Sequence, residues 1–419
     1  MGEFVVRGGR RLDGTLRVHG AKNAALPIMA ASVLASGPVT LEGVPRLRDV
    51  DVMTEVLTAL GATVRWVSHS SLVIDPSGIN EYVIPQELMM KMRASIFVIG
   101  PLLARMGHAV ALQPGGCSIG DRPIDIHIYG FEQLGAQVSE TEIGTRLDAP
   151  ELQAGLVHLS YPSVGATENL MMAAARTPGE TRIRNAAMEP EIVDLAQFLE
   201  KMGATVRGAG TSDIRIVGQR ELSGVTHTII PDRIEAATFM LAAAATGGHV
   251  VLENCIAEHL PGLMGRLRDV GCRVEERDGD VVELTTPEKY KTTPISLHTG
   301  PYPGFATDMQ AQFMAFLLKV PGVHIISERV FENRLGHARE LRRMGAQIVA
   351  DQRVALIYGG RPLHAADVRA LDLRAGAALV IAGLMTEGET VIADREIIER
   401  GYQDLDRRLT QLGADIIQR

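Results

Sequence analysis

A chain of 419 residues is long enough for two or three domains with complete apolar cores, and 46% hydrophobic with 22% charged residues is the composition of a folded globular protein. The net charge of −8 excludes general binding to nucleic acid or to an anionic membrane, both of which need a basic face, so any anion site has to be local. Aromatic residues make up only 4%, so the cores must be filled by Ala, Val, Leu, Ile and the 17 Met, which favours close helix-to-sheet packing.

The opening MGEFVVRGGRRLDG has a short apolar run broken by Arg7 and is expected to be neither a secretory signal nor a membrane anchor; Asp13-Gly14 within it is read as a hairpin turn. Next, the Ala-rich NAALPIMAASVLASG predicts a buried helix closing on glycine before the strand PVTLEGV. LTALGATV then predicts the end of an amphipathic helix, a glycine cap and a β-branched strand. This pair of elements recurs down the chain. MRASIFVIGPLLARMG, TENLMMAAARTPG, IEAATFMLAAAATGG, MQAQFMAFLLKVPG and LRAGAALVIAGLMTEG precede FEQLGAQV, FLEKMGATV, LRDVGCRV, LRRMGAQI and LTQLGADI respectively. The cap glycines Gly61, Gly135 and Gly203 return 210 positions later as Gly271, Gly345 and Gly413.

A three-unit ancestor duplicated whole accounts for this arithmetic. One unit is strand, buried helix, strand, amphipathic helix and paired strands (βαβαββ-like), so the class is α/β. The expected domains are residues 21–229, and residues 1–20 with 230–419, the first strands packing with the second domain. Long units in two triplets favour closed domains facing each other over a linear solenoid, and a cleft between domains is the expected ligand site. No apolar segment approaches the ~20 residues that a bilayer requires.

Cys117, Cys255 and Cys272 are odd in number and lack C-x-x-C spacing, which indicates neither a disulfide framework nor structural zinc and suits a reducing cytoplasm. Cys117 lies in the glycine-rich polar segment QPGGCSIGDRPIDIH, behind Gly115-Gly116 and five residues before Arg122. A thiol near a cation on such a connection has the setting of a reactive cysteine, whereas Cys255 and Cys272 fall inside helix–strand patterns and read as packing residues. Lys22-Asn23, Arg93, and Arg400 in ERGYQDLD put cations at helix starts, where amide N–H groups already favour anions, although singly each is explained as a surface charge. Asp308 in YPGFATDMQ and Asp372 in LDLRAG occupy equivalent helix starts in the second domain, where ordinary N-capping is the plain explanation.

GAKNAALP, MRASIFVIGPL, PGGCSIGDRPID, PSVGATEN, EPEIVDLA, TDMQAQF, VFENR, DLRAG and RGY, in this order and on this six-fold frame, closely resemble the bacterial UDP-N-acetylglucosamine 1-carboxyvinyltransferases over essentially the whole chain. The resemblance implies the enolpyruvyl transferase fold: two inside-out α/β barrel domains, each of three units. It implies transfer of the enolpyruvyl group of phosphoenolpyruvate to the 3-hydroxyl of UDP-N-acetylglucosamine with loss of phosphate, in the cytoplasm, as the first committed step of peptidoglycan precursor synthesis. No metal or cofactor is implied. In that likeness Cys117 is the acid and the site of fosfomycin attack, Asp308 takes the hydroxyl proton, and Asp372 lies beside the reacting carbon. Lys22, Arg93, Arg122 and Arg400, with Asn23, hold phosphoenolpyruvate. Asn23, Arg93, Arg122, Pro123, Ile124, Asp125, Ile126, Ser163, Val164, Gly165, Asp308 and Val330 line the sugar-nucleotide site. The nearest alternative is 5-enolpyruvylshikimate-3-phosphate synthase, which shares fold and reaction type but lacks the cysteine loop. A catalytically idle sugar-nucleotide-binding paralogue is the alternative from a different class.

Overall fold

The computed structural model describes residues 2–111 and 124–419, the side chain of Arg93 excepted. The chain forms two compact units, one of residues 20–111 and 124–230, the other of residues 2–19 and 231–419.

The six repeated glycines all do the same thing. Gly61, Gly135, Gly203, Gly271, Gly345 and Gly413 have φ between 87° and 117°, the left-handed region open to glycine. Each donates its N–H to the carbonyl three residues back, at 2.9–3.0 Å, and the next residue donates to the carbonyl five residues back, as Ala62 does to Leu57 and Ala414 to Leu409. This is the Schellman arrangement, which satisfies carbonyls left over at a helix end. A strand follows two residues after every one of these glycines, at Thr63, Gln137, Thr205, Arg273, Gln347 and Asp415.

The Ala-rich segments form helices enclosed on all sides. In the second unit, every residue from Ile234 to Ala245, from Met309 to Leu317 and from Arg374 to Leu384 is buried. The three helices carrying them, Arg233–Thr246, Thr307–Leu317 and Leu373–Leu384, pack on one another. Lys22–Ala31 and Val164–Ala175 are buried in the same way in the first unit, where the middle repeat enters through a 3₁₀ segment, Arg93–Val98, before the helix Ile99–Met106. Small side chains allow this approach, and sheets cover the outside of the packed helices.

Five sheets have four strands in one order, with one parallel and two antiparallel pairings, as in Asp13–Arg17, His249–Glu253, Val281–Thr285 and Arg273–Arg277. The sheet of His108–Ala111, Gly144–Asp148 and Gln137–Thr141 has three described strands. The sheets are hydrogen-bonded separately, so the helix-centred α/β units contain no closed barrel among the described residues.

The chain start is used twice in the second unit. Glu3–Arg7 inserts between Glu389–Ala393 and Asp415–Gln418, and Asp13–Arg17 runs parallel to His249–Glu253. The expected hairpin at Asp13-Gly14 is therefore absent. These residues begin a strand, because the flanking segments belong to different sheets, and the Asp13 carboxylate accepts the N–H of His249 (3.0 Å). The parallel strand of the first unit's first sheet comes from the far end of that unit, Thr226–Thr228 beside Val39–Glu42.

Glu235 fixes the segment that follows Asp13–Arg17. Its Oε1 accepts the His19 N–H (2.9 Å) and Arg408 Nη1 (2.7 Å), and Arg408 Nη2 reaches the Arg17 carbonyl (2.7 Å). Burial alone would raise the Glu235 carboxyl, but Arg408 and His19 overcome it and hold the pKa at about 2. A depressed folded-state pKa contributes stability above the unfolded value of about 4.5, which is lost as the pH falls towards 2. We expect Glu235→Gln to lose about 3 kcal/mol at pH 7. In urea titrations across pH the gap to the parent should close through the acid range; a gap that does not change with pH would refute this account.

Candidate active site

In the first unit the expected ligands lie at starts of its helices. Lys22 is the first residue of its helix and is buried, with Nζ donating to Asp49 Oδ2 at 3.1 Å; Asn23 beside it is half-buried. Arg93 opens the 3₁₀ segment, which a fully buried amide ties down: Asn169 Nδ2 donates to the Ile96 carbonyl (3.1 Å) and its Oδ1 accepts the Gly100 N–H (2.9 Å). Ser163 caps the helix Val164–Ala175 through Oγ and Ala166 N–H (3.3 Å), placing Val164 and Gly165 in the first turn. Ile124 precedes the helix Asp125–Gln133, which starts with Asp125 and Ile126. Amide groups at helix starts, with an ammonium in one first turn, suit anionic oxygens.

Cys117, Arg122 and Pro123 lie outside the described residues. Cys255 and Cys272 are buried, and burial pushes both thiols up to about 12, so neither is ionised near neutral pH. Cys272 takes the place that alanine fills after the cap glycine in the other five repeats. Among the described residues no cluster of three or more His, Cys, Asp or Glu could hold a metal ion, and no helix is long and apolar enough to cross a membrane.

The second unit separates two aspartates that look alike in sequence. Asp372 is an N-cap, accepting the N–H groups of Arg374 (2.8 Å) and Ala375 (2.9 Å), as Asp232 does for Ile234 and Glu235. Asp308 is not a cap. Its helix is preceded by Ala306, and the Asp308 carboxylate sits in the first turn between two buried arginines, Arg334 Nη2 on Oδ1 (2.9 Å) and Arg374 Nη2 on Oδ2 (3.0 Å). Burial works against the charge of Arg374, but Tyr402, Asp308 and Asp232 outweigh it and raise its pKa. One further nitrogen of each guanidinium, Nη1, is enclosed without a hydrogen-bond partner. The outcome is a carboxylate fixed in direction and still 28% exposed.

Neighbouring residues absent from the sequence reading hold this arrangement. Glu328, 1% exposed, accepts the Val330 N–H (2.8 Å), the Phe331 N–H (3.1 Å), and the hydroxyls of Thr299 and Thr307 (2.8 Å each), joining the Val330 segment to the residue before Asp308. His337 is enclosed near Asp372, and burial pushes its imidazole pKa down. Arg400 is half-buried, and a Cβ on Gly401 after it would lie 2.4 Å from Leu373 Cδ1, so a side chain there would have to turn Leu373 aside. In the first unit, neither carboxylate oxygen of fully buried Glu168 has a hydrogen-bond partner, and burial, with Glu191 and Glu189 nearby, pushes its pKa well up. The available signal for Arg374 was an arginine inside an otherwise apolar helix; nothing local marks Glu328.

A UDP-N-acetylglucosamine 1-carboxyvinyltransferase from Finegoldia magna is 50% identical to this chain over 407 residues, 97% of this chain and 96% of that protein. A protein named UDP-N-acetylglucosamine 1-carboxyvinyltransferase 2, from Carboxydothermus hydrogenoformans, is 51% identical over 416 residues, 99% of each. The chain belongs to the UDP-N-acetylglucosamine 1-carboxyvinyltransferase family. The broader family model that matches residues 6–409 is described as EPSP synthase (3-phosphoshikimate 1-carboxyvinyltransferase). Among solved structures, the enolpyruvyl transferase NikO from Streptomyces tendae superposes with a TM-score of 0.89 at 26% identity, covering 100% of this chain and 99% of its own. An EPSP synthase from Acinetobacter baumannii shares the fold at a TM-score of 0.77 but is 18% identical, with both chains fully covered. Within the carboxyvinyltransferase family, then, this chain has the enolpyruvyl transferase fold, and the EPSP synthases are distant relatives.

Gly401→Ala forces the partly buried Leu373 side chain to turn aside, so we expect a loss of about 1 kcal/mol, the low end of overpacking costs. Adding Leu373→Ala should restore much of it. Equal thermal stability of Gly401→Ala and the parent would disprove the contact.

Proposed function

We propose that this chain transfers the enolpyruvyl group of phosphoenolpyruvate to the 3-hydroxyl of UDP-N-acetylglucosamine and releases phosphate, supplying peptidoglycan precursor synthesis in the cytoplasm. The observation that carries this reading is identity of about one half, along nearly the whole chain, to proteins named for that activity. Lys22, Arg93, Arg122 and Arg400, with Asn23, hold the phosphate and carboxylate of phosphoenolpyruvate, because a multiply anionic small substrate needs several convergent cations. Ile124 to Ile126, Ser163 to Gly165, Pro123 and Val330 line the sugar nucleotide. Asp308 takes the proton of the 3-hydroxyl as its oxygen bonds to C2 of phosphoenolpyruvate, while Cys117 gives a proton to C3. Loss of a C3 proton and cleavage of the bond from C2 to the phosphate oxygen then yield the enol ether and inorganic phosphate, with Asp372 beside the reacting carbon. The fixed direction of the Asp308 carboxylate between Arg334 and Arg374 supports its part in this scheme.

Phosphate release from phosphoenolpyruvate should depend strictly on UDP-N-acetylglucosamine. Release with shikimate 3-phosphate in its place would reverse the assignment. Asp308→Ala should still bind the sugar nucleotide while kcat falls on the order of 10²–10⁴-fold, the usual worth of a general base; near-normal turnover would remove Asp308 from that role.

Fosfomycin, an epoxide phosphonate, should add its mass to Cys117 and not to Cys255 or Cys272, whose thiols burial keeps protonated. The sugar nucleotide should accelerate the addition. Cys117→Asp should escape it and keep some turnover, since a carboxylic acid can still donate a proton. Peptide mapping after intact-mass spectrometry decides the matter: label on either buried cysteine would contradict the reading.

A further inference from the structure

We propose that Tyr402 is a positioning residue for Asp308, its ring supporting Arg374 and its hydroxyl holding the helical turn that carries the carboxylate. The proposal rests on the reading of Asp308 as the base.

Tyr402 is 1% exposed and stands two residues beyond Arg400. A phenylalanine would fill the same space, so a buried hydroxyl calls for an explanation in hydrogen bonds. Its partners come from two different core helices. Gln312 Nε2 donates to the Tyr402 hydroxyl at 2.9 Å, and Thr238 Oγ1 lies 2.9 Å from the same oxygen. Thr238 spends its own proton on the Ile234 carbonyl (2.8 Å), so Tyr402 is the donor to Thr238 and the chain of donors runs one way, from Gln312 through Tyr402 and Thr238 to Ile234. Thr238 and Gln312 are themselves buried, at 3% and 0% exposure.

This network reaches Asp308 by two routes. Gln312 follows Asp308 by one helical turn, and its Nε2 also donates to the Asp308 carbonyl (2.9 Å), so the Tyr402 hydroxyl is bound to the turn that starts at Asp308. The Tyr402 ring centre lies 5.2 Å from the Arg374 guanidinium carbon, within cation–π range, and Arg374 grips Asp308 Oδ2. Tyr402 thus touches both the backbone that carries the carboxylate and the cation that aims it. Neither route passes through a residue assigned to the substrates other than Asp308.

Tyr402→Phe keeps the ring and volume and removes only the hydroxyl. Steady-state kinetics of the full-length protein should show kcat reduced roughly 10-fold, since small misplacements of a reacting group are costly, with KM for UDP-N-acetylglucosamine changed less than ~2-fold. In a Gln312→Met background the same substitution should reduce kcat by less than ~2-fold, because the hydroxyl reaches the Asp308 turn through Gln312 and residues acting through one another are not additive. A purely structural tyrosine would cost the same factor in both backgrounds, and that result would overturn the proposal, as would an unchanged kcat in the single variant. Should Tyr402→Phe fail to fold, Thr238→Val removes the acceptor with little change of shape and must give the same pattern. Asp308→Ala, measured alongside, separates the two levels. An inactive Asp308→Ala beside a normal Tyr402→Phe defeats the positioning role alone, whereas an active Asp308→Ala defeats both.

Discussion

A helix buried on every side can meet polar chemistry only at its ends. That constraint governs the arrangement of this protein, because its cores are built from helices such as Leu373–Leu384, enclosed from Arg374 to its end. Amide groups at the starts of such helices need partners, and the repeats answer in different ways: Asp232, Asp372 and Ser163 cap with their side chains, whereas Lys22 and Asp308 do not. Lys22 and Asp308, the two released from capping, have charged roles in the proposed chemistry, and Asp372 combines its cap with a place beside the reacting carbon. Repetition supplies several equivalent places, and divergence of single residues at them separates scaffold from site.

Burying arginines near such a place requires an acceptor for each. Arg334 and Arg374 are enclosed, and both are directed to one carboxylate, Asp308. A buried ion pair contributes little net stability compared with apolar packing, but it fixes geometry, and removing one partner strands the other charge. The motifs around Asp308 therefore include residues that touch no reacting atom. Gly401 is one example, set so close to Leu373 that a side chain there would displace that leucine.

How far each feature could be read from sequence depended on the range of the interaction behind it. The six Schellman caps were legible because they involve only six consecutive residues and a conformation that favours glycine. Burial of the Ala-rich helices was legible from their lack of a polar face. The Asp13-Gly14 hairpin was a misreading because the partner of Asp13 is His249, 236 positions away, and no local pattern carries that pairing. Asp308 and Asp372 were indistinguishable by motif; only the preceding backbone and the long-range arginines set them apart. The sequence assigns no role to Glu328, or to Tyr402 within RGY, for the same reason, since their partners lie on other elements. Cys255 and Cys272 were readable as packing residues because each falls within a repeating pattern of its own.

The double use of the chain start has a consequence for synthesis on the ribosome. The first unit can complete its sheets once residue 228 has emerged, because every described strand it uses lies between positions 39 and 228. The second unit cannot. Glu3–Arg7 is made before the first unit, yet one of its neighbours, Asp415–Gln418, is made only after that unit. Until Asp415–Gln418 has emerged, Phe4, Val5 and Val6, all buried in the finished fold, have no complete sheet to enter. The nascent chain thus carries an unsatisfied apolar strand ahead of the first unit while that unit forms behind it, so its assembly is governed by the order of translation as well as by the final free energy.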